Sequence, residues 1–389
     1  MRTLEQQIKE FDSLTDLLED LEREGITGYQ RRSIMDRYMM RKSRLKGRPY
    51  SAAFELTPLC NFDCKMCYMH LTERQLAKAG RILSAEEWVD IIRQAIDAGV
   101  MSVDITGGEC LLHPGFRDIY RYLVKRGVRV AILTNGQLLT EEMIDFFKLY
   151  PPSVVQISLY GSSLEAYIRV TGKDAFQDVL NAVDRLKKAK IPCRVTMTPH
   201  RFMQEDAAQM LDLLHRLGVK YDIAFGTLAA RPETEREIED YIVDNEIYRE
   251  IKRIEAQYRK RVSNSKGTVE TINPFTFRIK GEELFEGLPC YAGSAHFHIN
   301  WKGEMTPCIP FYTISKSVLN GCLWEAWEWV RNIVKSYHLP DECNSCMYVG
   351  ECSACPAERT QGRFNGPVNR FVCKRHKELN TTNVDSGEE

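Results

Sequence analysis

Between residue 51 and about residue 225, strand-like and helix-like patterns alternate six times, and few folds accept that order. Apolar strand-like runs lie at 53–56, 100–105, 128–133, 154–159, 193–197 and 221–225, with helical patterns such as 85–98 and 175–188 between them. Ser84 followed by Glu87 is a capping-box signature for the first of these helices. Six βα units in series imply a parallel sheet or barrel with right-handed crossovers. Eight units close a full barrel. The expectation is therefore an α/β fold, a partial (β/α)6 TIM-like barrel over 51–230.

The flanks differ from this core. Residues 1–50 read as a charged helical segment, with Leu14, Leu17, Leu18 and Leu21 at near-helical spacing. The stretch 31–48 holds eight Lys or Arg against Asp36 alone. A solvated helix face is the plain reading, and a docking surface for an acidic peptide the sharper one. Residues 231–286 read as a helical linker, chiefly a long charged helix over 232–262. Residues 287–379 are rich in Gly, Pro and Cys and weak in periodicity apart from 323–334, as in a small domain organised by metal. The polar tail 380–389 is expected to be disordered. A formal charge of −1 argues against general nucleic-acid binding. With no signal segment and no run as long as a membrane span, a cytoplasmic protein without a membrane partner is expected.

Thirteen cysteines are too many for routine packing. A secreted disulfide framework fits poorly with a large chain, an odd count and no signal peptide. Metal ligation accounts for them better, because thiolates are soft ligands and iron–sulfur clusters are held by cysteine. Cys60, Cys64 and Cys67 form a C-x3-C-x2-C triplet just after the first strand. Three thiols on one loop can hold three irons of a [4Fe–4S] cluster, leaving the fourth iron free to bind another molecule. Cys110 reads as a small packed thiol and Cys193 as a core residue.

The triplet, its place after the first strand and Thr106-Gly107-Gly108-Glu109 after the second resemble the radical S-adenosylmethionine (SAM) superfamily. The resemblance implies that SAM chelates the open iron and is cleaved reductively to a 5′-deoxyadenosyl radical, which takes a hydrogen from the substrate. It implies SAM contacts from Gly107, Gly108 and Glu109, the last through its carboxylate to the methionine ammonium. Further contacts implied are Met66 beside the adenine, Asn135 after strand three, Ser158 at the end of strand four, and Arg169. Asn135-Gly136 is equally a common turn pair, and Ser158 could be a locally bonded hydroxyl.

The second cysteine group runs Cys290, Cys308, Cys343, Cys346, Cys352, Cys355 and Cys373. Its Gly303-x4-Cys308 step and C-x2-C-x5-C core resemble the SPASM extension of radical SAM enzymes that modify peptides and proteins. Two residues, rather than the commoner three, separate Cys352 from Cys355. The resemblance implies two auxiliary [4Fe–4S] clusters, one on Cys343, Cys346, Cys352 and Cys373, the other on Cys290, Cys308 and Cys355. Cys322, an open iron or a non-cysteine group would complete the latter. A four-cysteine zinc site is the alternative for 343–355. His296 and His298 read as surface or packing residues in a hairpin. The function implied is radical modification of a peptide or protein, such as crosslinking, epimerisation or oxidation of a ribosomal precursor, with a flavodoxin or ferredoxin as electron donor. The same chemistry on a small-molecule cofactor precursor, and a non-catalytic electron carrier, are the alternatives.

Overall fold

Parallel strands form where the sequence alternation places them, and a seventh joins from the cysteine-rich segment. The computed structural model describes residues 19, 22–23, 28–203, 207–224, 228–236, 245–263, 287–319, 323–349, 352 and 354–374. Helix α1 (Gly28–Leu45) precedes β1 (Ser51–Glu55), and α2 (Glu73–Ala79) and α3 (Ala85–Ala98) lead to β2 (Ser102–Thr106). Then follow α4 (Phe116–Lys125), β3 (Arg129–Thr134), α5 (Glu141–Leu149), β4 (Val154–Ser158), α6 (Leu164–Thr171), α7 (Phe176–Lys188) and β5 (Cys193–Met197). Helix α8 (Ala207–Leu217) and β6 (Lys220–Ile223) complete the expected series. The run expected as a helix over 232–262 begins as a 3₁₀ turn at Pro232–Thr234 and is helical as α9 (Asn245–Ser263). The end of the linker, the tail 380–389 and most of 1–27 lie outside the described residues.

After the linker come β7 (His296–Ile299), β8 (Glu304–Thr306), β9 (Lys316–Ser317), α10 (Leu323–Lys335) and two single-turn helices, α11 (Asp341–Asn344) and α12 (Pro356–Arg359). The sheet order is β6-β5-β4-β3-β2-β1-β7-β8-β9. Strands β1 to β6 pair in parallel in chain order, and the sheet stays open, as expected of a partial barrel. Strand β7 pairs in parallel with β1, Ala53 opposite His298, and then turns back as an antiparallel hairpin with β8. The cysteine-rich segment is thus built onto the barrel's own sheet.

Helix α3 shows why these units hold. The Ser84 hydroxyl accepts from the Glu87 N–H while Glu87 caps the Ser84 N–H, and Gly99 ends the helix in the left-handed region. Its apolar face buries Trp88, Ile91, Ile92 and Ala95 against the sheet. Along each strand the side chains alternate. Phe54 packs on Trp88 and on Phe297 of β7, which packs in turn on Trp327 of α10. One apolar layer therefore runs under both the barrel and the added strands. The other face, toward the barrel interior, is polar: Glu55, Asp104, Gln156, Ser158, Arg194, Thr196, Asp222 and His298 occupy the alternate positions.

Helix α1 packs at the opposite end from the strand C-termini. Asp36 pairs with Arg129 at 2.6 Å and accepts from the Tyr50 hydroxyl at 2.9 Å, both at strand starts.

At the C-terminal end of β1, three segments meet on one buried carboxylate. Arg231 donates both terminal nitrogens to Glu55 at 2.6 Å each, and His298 Nε2 lies 3.2 Å from Glu55 Oε2. Burial alone would raise the Glu55 pKa, but Arg231 and His298 overturn that and hold it at about 2. His298 is therefore a packed and hydrogen-bonded residue. Because the native pKa lies below the ordinary value of 4.5, the pair's stabilisation is full above pH 4.5 and is lost as pH falls toward 2. Glu55→Ala, which strands a buried guanidinium, is expected to cost about 3–5 kcal/mol. Urea unfolding at pH 7 measures this, and the loss relative to wild type should shrink toward pH 2.

Candidate active site

The triplet loop leaves β1 and crosses the C-terminal ends of the neighbouring strands, where catalytic groups of parallel barrels gather. Backbone bonds fix it from below: Gly108 N–H donates to Thr57 O at 2.7 Å and Glu109 N–H to Leu59 O at 2.9 Å. A Cβ on Gly108 would lie 2.4 Å from Leu59 O, and one on Gly107, at φ +154°, 2.6 Å from Thr57 O. The two glycines are there because the loop's backbone passes directly over them. From the side, Asp63 and Lys65 N–H groups donate to Thr171 and Val170 carbonyls at the end of α6. Arg236 completes the clamp, donating to Cys64 O at 2.5 Å and pairing with Asp63 at 2.7 Å.

The three thiols sit together and half-buried. Cys60 Sγ accepts from Phe62 N–H at 3.4 Å, and Cys67 Sγ from His70 N–H at 3.2 Å. Burial, reinforced by Glu109 and Cys67, pushes the Cys60 thiol up to about 12. Cys64 and Cys67 are raised chiefly by burial too, and Cys64 also by its two neighbouring thiols. Such thiols are protonated at neutral pH until a metal displaces the proton.

Glu109 is fully buried, and its carboxylate accepts from Thr134 Oγ1 at 2.9 Å, Asn135 N–H at 2.8 Å and Leu111 N–H at 3.0 Å. In this structure it organises the loops after β2 and β3. Asn135 in turn reaches the triplet loop, its Nδ2 donating to Asn61 Oδ1 at 2.7 Å and to Cys60 Sγ at 3.7 Å. Ser158 is half-buried at the end of β4 and hydrogen-bonds Tyr160, whose electrostatic neighbours include all three thiols. Met66 is half-buried within the loop. Arg169 is exposed on α6. Cys110 is a packed thiol, buried with its Sγ 3.3 Å from Leu133 O. Cys193 is half-buried on β5, against the core.

Strand β5 carries groups that the sequence did not single out. Arg194 Nε and Thr196 Oγ1 on the strand, and both ring nitrogens of His200 just after it, are buried with no hydrogen-bond partner among the described residues. Buried polar atoms are nearly always bonded, so a row of them marks a place for a ligand. Burial drives His200 down to about 3, leaving a neutral imidazole between Tyr160 and Phe202. Phe202 lies under Lys65 of the triplet loop.

The second cysteine group falls into two sets. Cys290, Cys308 and Cys355 are mutual electrostatic neighbours, deep and raised by burial. Cys343, Cys346, Cys352 and Cys373 line an open pocket with Arg359, and Glu342 also borders it. Cys322 lies outside the described residues. Among the described residues no three donors converge on one point, as a single ion bound at about 2.3 Å from each sulfur requires. The inner set is wired to the barrel: Thr306 Oγ1 donates to Cys308 O at 2.9 Å and lies 3.0 Å from Nδ1 of His298, the residue that meets Glu55.

A thiol triplet held over a Gly-Gly-Glu turn at the mouth of an open parallel barrel defines a class. The chain belongs to the radical SAM superfamily, whose family model matches residues 54–214. Enzymes of this superfamily use a [4Fe–4S] cluster and SAM. Over 324 residues the chain is 25% identical to an AdoMet-dependent heme synthase of Methanosarcina barkeri, covering 79% of this chain and 91% of that protein. It is 26% identical over 317 residues to the antilisterial bacteriocin subtilosin biosynthesis protein AlbA of Bacillus subtilis, covering 78% and 67%. Streptococcus suis SuiB, solved bound to precursor peptide SuiA, shares the fold with a TM-score of 0.65 at 16% identity, over 92% of this chain and 89% of that one.

The glycine packing yields a test. Gly108→Ala must displace the loop backbone, at an expected cost of about 1–3 kcal/mol. Iron retained after anaerobic reconstitution should fall with it, whereas Gly127→Ala, strained at φ +76° but before β3 and with nothing within 4 Å of its Cβ, should retain wild-type iron.

Proposed function

We propose that this radical SAM enzyme modifies a peptide or protein, Cys60, Cys64 and Cys67 holding the catalytic cluster and the second cysteine group holding two auxiliary ones. The observation that carries this reading is the joining of that group to the barrel's own sheet through β7, with Thr306, His298 and Glu55 in contact from Cys308 to β1. Redox centres so attached serve the same chamber as the radical generator, which suits oxidative chemistry on a bound substrate. The likeness to the subtilosin biosynthesis protein and to the fold of SuiB supports a peptide substrate.

When bound, the cluster and SAM supply a 5′-deoxyadenosyl radical that removes a hydrogen atom. The protein's part is to bind, orient and exclude. Half-buried thiols, two of them (Cys60 and Cys67) with N–H donors at sulfur, fit a cluster carrying negative charge. Gly107 and Gly108 let the triplet loop's backbone pass directly over them, and Glu109 keeps the loops after β2 and β3 in place; its carboxylate would take the ammonium of the methionine moiety. Ser158, Asn135, Thr196 and His200 offer neutral hydrogen bonds, and Arg194 a charged one, to the nucleoside and to the substrate beyond it. A flavodoxin or ferredoxin is the electron donor proposed.

Likeness to the heme synthase favours a second reading, the same chemistry on a small-molecule precursor. The two separate by assay: reduced, reconstituted protein is given SAM with a short peptide encoded beside its gene, or with a haem precursor, and the added molecule is weighed by mass spectrometry. A mass change in the peptide supports the first reading, and one confined to the haem precursor establishes the second.

Anaerobic incubation with dithionite and SAM is expected to release 5′-deoxyadenosine, and Cys60→Ala, Cys64→Ala or Cys67→Ala to abolish it. No release from protein whose first cluster is intact by iron analysis would sink the assignment. Cys343→Ala should still cleave SAM without forming product. Iron at roughly twelve per chain is expected, and roughly four with zinc would remove the auxiliary clusters.

A further inference from the structure

The outer thiol set contains a cation that no carboxylate among the described residues neutralises. Arg359 ends α12 and is only 5% exposed. Its Nη2 donates to Cys352 Sγ at 3.6 Å and to Ala354 O at 3.4 Å, and among the described residues no carboxylate pairs with it. Its backbone is equally committed. The N–H donates to Cys355 O at 2.8 Å, the carbonyl accepts from Asn369 N–H at 2.6 Å, and Asn369 O accepts from Cys373 N–H at 2.9 Å. One residue thereby ties together the segments carrying Cys352, Cys355 and Cys373.

A buried guanidinium whose side-chain partners among the described residues are a thiol and a carbonyl is costly unless negative charge sits beside it. Thiols in the adjoining cavity supply that charge once a metal has removed their protons.

Tyr337 gives a second, independent observation. Its ring packs on Phe311 and Phe364, and its hydroxyl is buried with no hydrogen-bond partner among the described residues. Its electrostatic neighbours are Arg359, Cys343, Cys355 and Cys290, so it lies between the inner and outer sets. A buried hydroxyl calls for an acceptor, and the sulfurs of a bound cluster are acceptors.

We propose that Arg359, with Tyr337 beside it, is the charge partner of the outer cluster, favouring its loading on Cys343, Cys346, Cys352 and Cys373 and raising its reduction potential above what four thiolates alone would set. The physical reason is that an added electron makes the cluster more negative, and a fixed cation at its edge stabilises the reduced form more than the oxidised one. Lysine keeps the charge and loses the planar fork, whereas methionine keeps the bulk and loses the charge.

The proposal rests on the auxiliary-cluster reading, and counting iron separates the two. Wild-type protein, Arg359→Met and Arg359→Lys are reconstituted anaerobically, iron is counted, and the clusters are titrated by potential with electron paramagnetic resonance. At full iron content, one cluster of Arg359→Met should show a reduced-to-oxidised ratio about tenfold lower at a given potential, a shift of about 59 mV for one electron. The remaining signals should stay in place, and Arg359→Lys should lie nearer wild type. Unchanged potentials at full iron in Arg359→Met overturn the proposal. If Arg359→Met loses the outer cluster, retention of iron by Arg359→Lys upholds the charge role, and loss in both variants overturns it. Wild-type protein with only about four irons removes the outer cluster itself, and the auxiliary-cluster reading fails with it.

Discussion

A single buried carboxylate holds the working parts of this molecule in register. Glu55 stands at the end of the strand that delivers the triplet loop and is fully buried. Arg231, from the segment after β6, grips it with two parallel hydrogen bonds, and the Arg231 N–H also donates to Tyr68 O at the loop's far side. His298 approaches from β7. The start of the barrel, the segment after its last expected strand and the strand added from the cysteine-rich segment thus share one ion-pair centre. Its value lies less in net stability, which desolvation largely offsets, than in fixing which segments meet.

Around that centre, polar groups are committed to loops rather than left free. Glu109 spends its carboxylate on Thr134, Asn135 and Leu111, which makes the mouth of β2 and β3 a rigid frame. Asn135 passes that order on to Cys60 through Asn61. The contrast is β5 and the turn after it, where Arg194, Thr196 and His200 hold buried polar atoms without a hydrogen-bond partner among the described residues. A mouth rigid on one side and hydrogen-bond-hungry on the other is suited to hold a cofactor tightly and a substrate beside it.

Much of the barrel was legible in the sequence, because buried parallel strands must read as apolar runs and helices must show their period. The β5 run at 193–197 was read with its observed bounds, and Ser84 caps α3 as its pattern says. The thiol triplet and Gly107-Gly108-Glu109 stood out because few other constraints produce them. What stayed hidden depends on distant pairing. Residues 296–299 show a hairpin, but a hairpin does not tell which strand its outer edge will join, and here it joins β1 in parallel. Arg231 and Arg236 sit in or beside a charged stretch read as helix, where nothing distinguishes a clamp from a solvated residue. Glu109 was legible as a functional carboxylate, but its bonds to Thr134 and Asn135 were not, since those partners lie 25 and 26 residues away.

The claim on which the rest depends is that the triplet presents an open iron to SAM. Electron–nuclear double resonance on the reduced, reconstituted protein, with SAM labelled with ¹⁵N in its amino group, measures that contact directly. The expected result is a nitrogen coupling to the reduced cluster that is present in wild-type protein and absent in Cys64→Ala. A fully iron-loaded, reduced wild-type protein that shows no such coupling contradicts it.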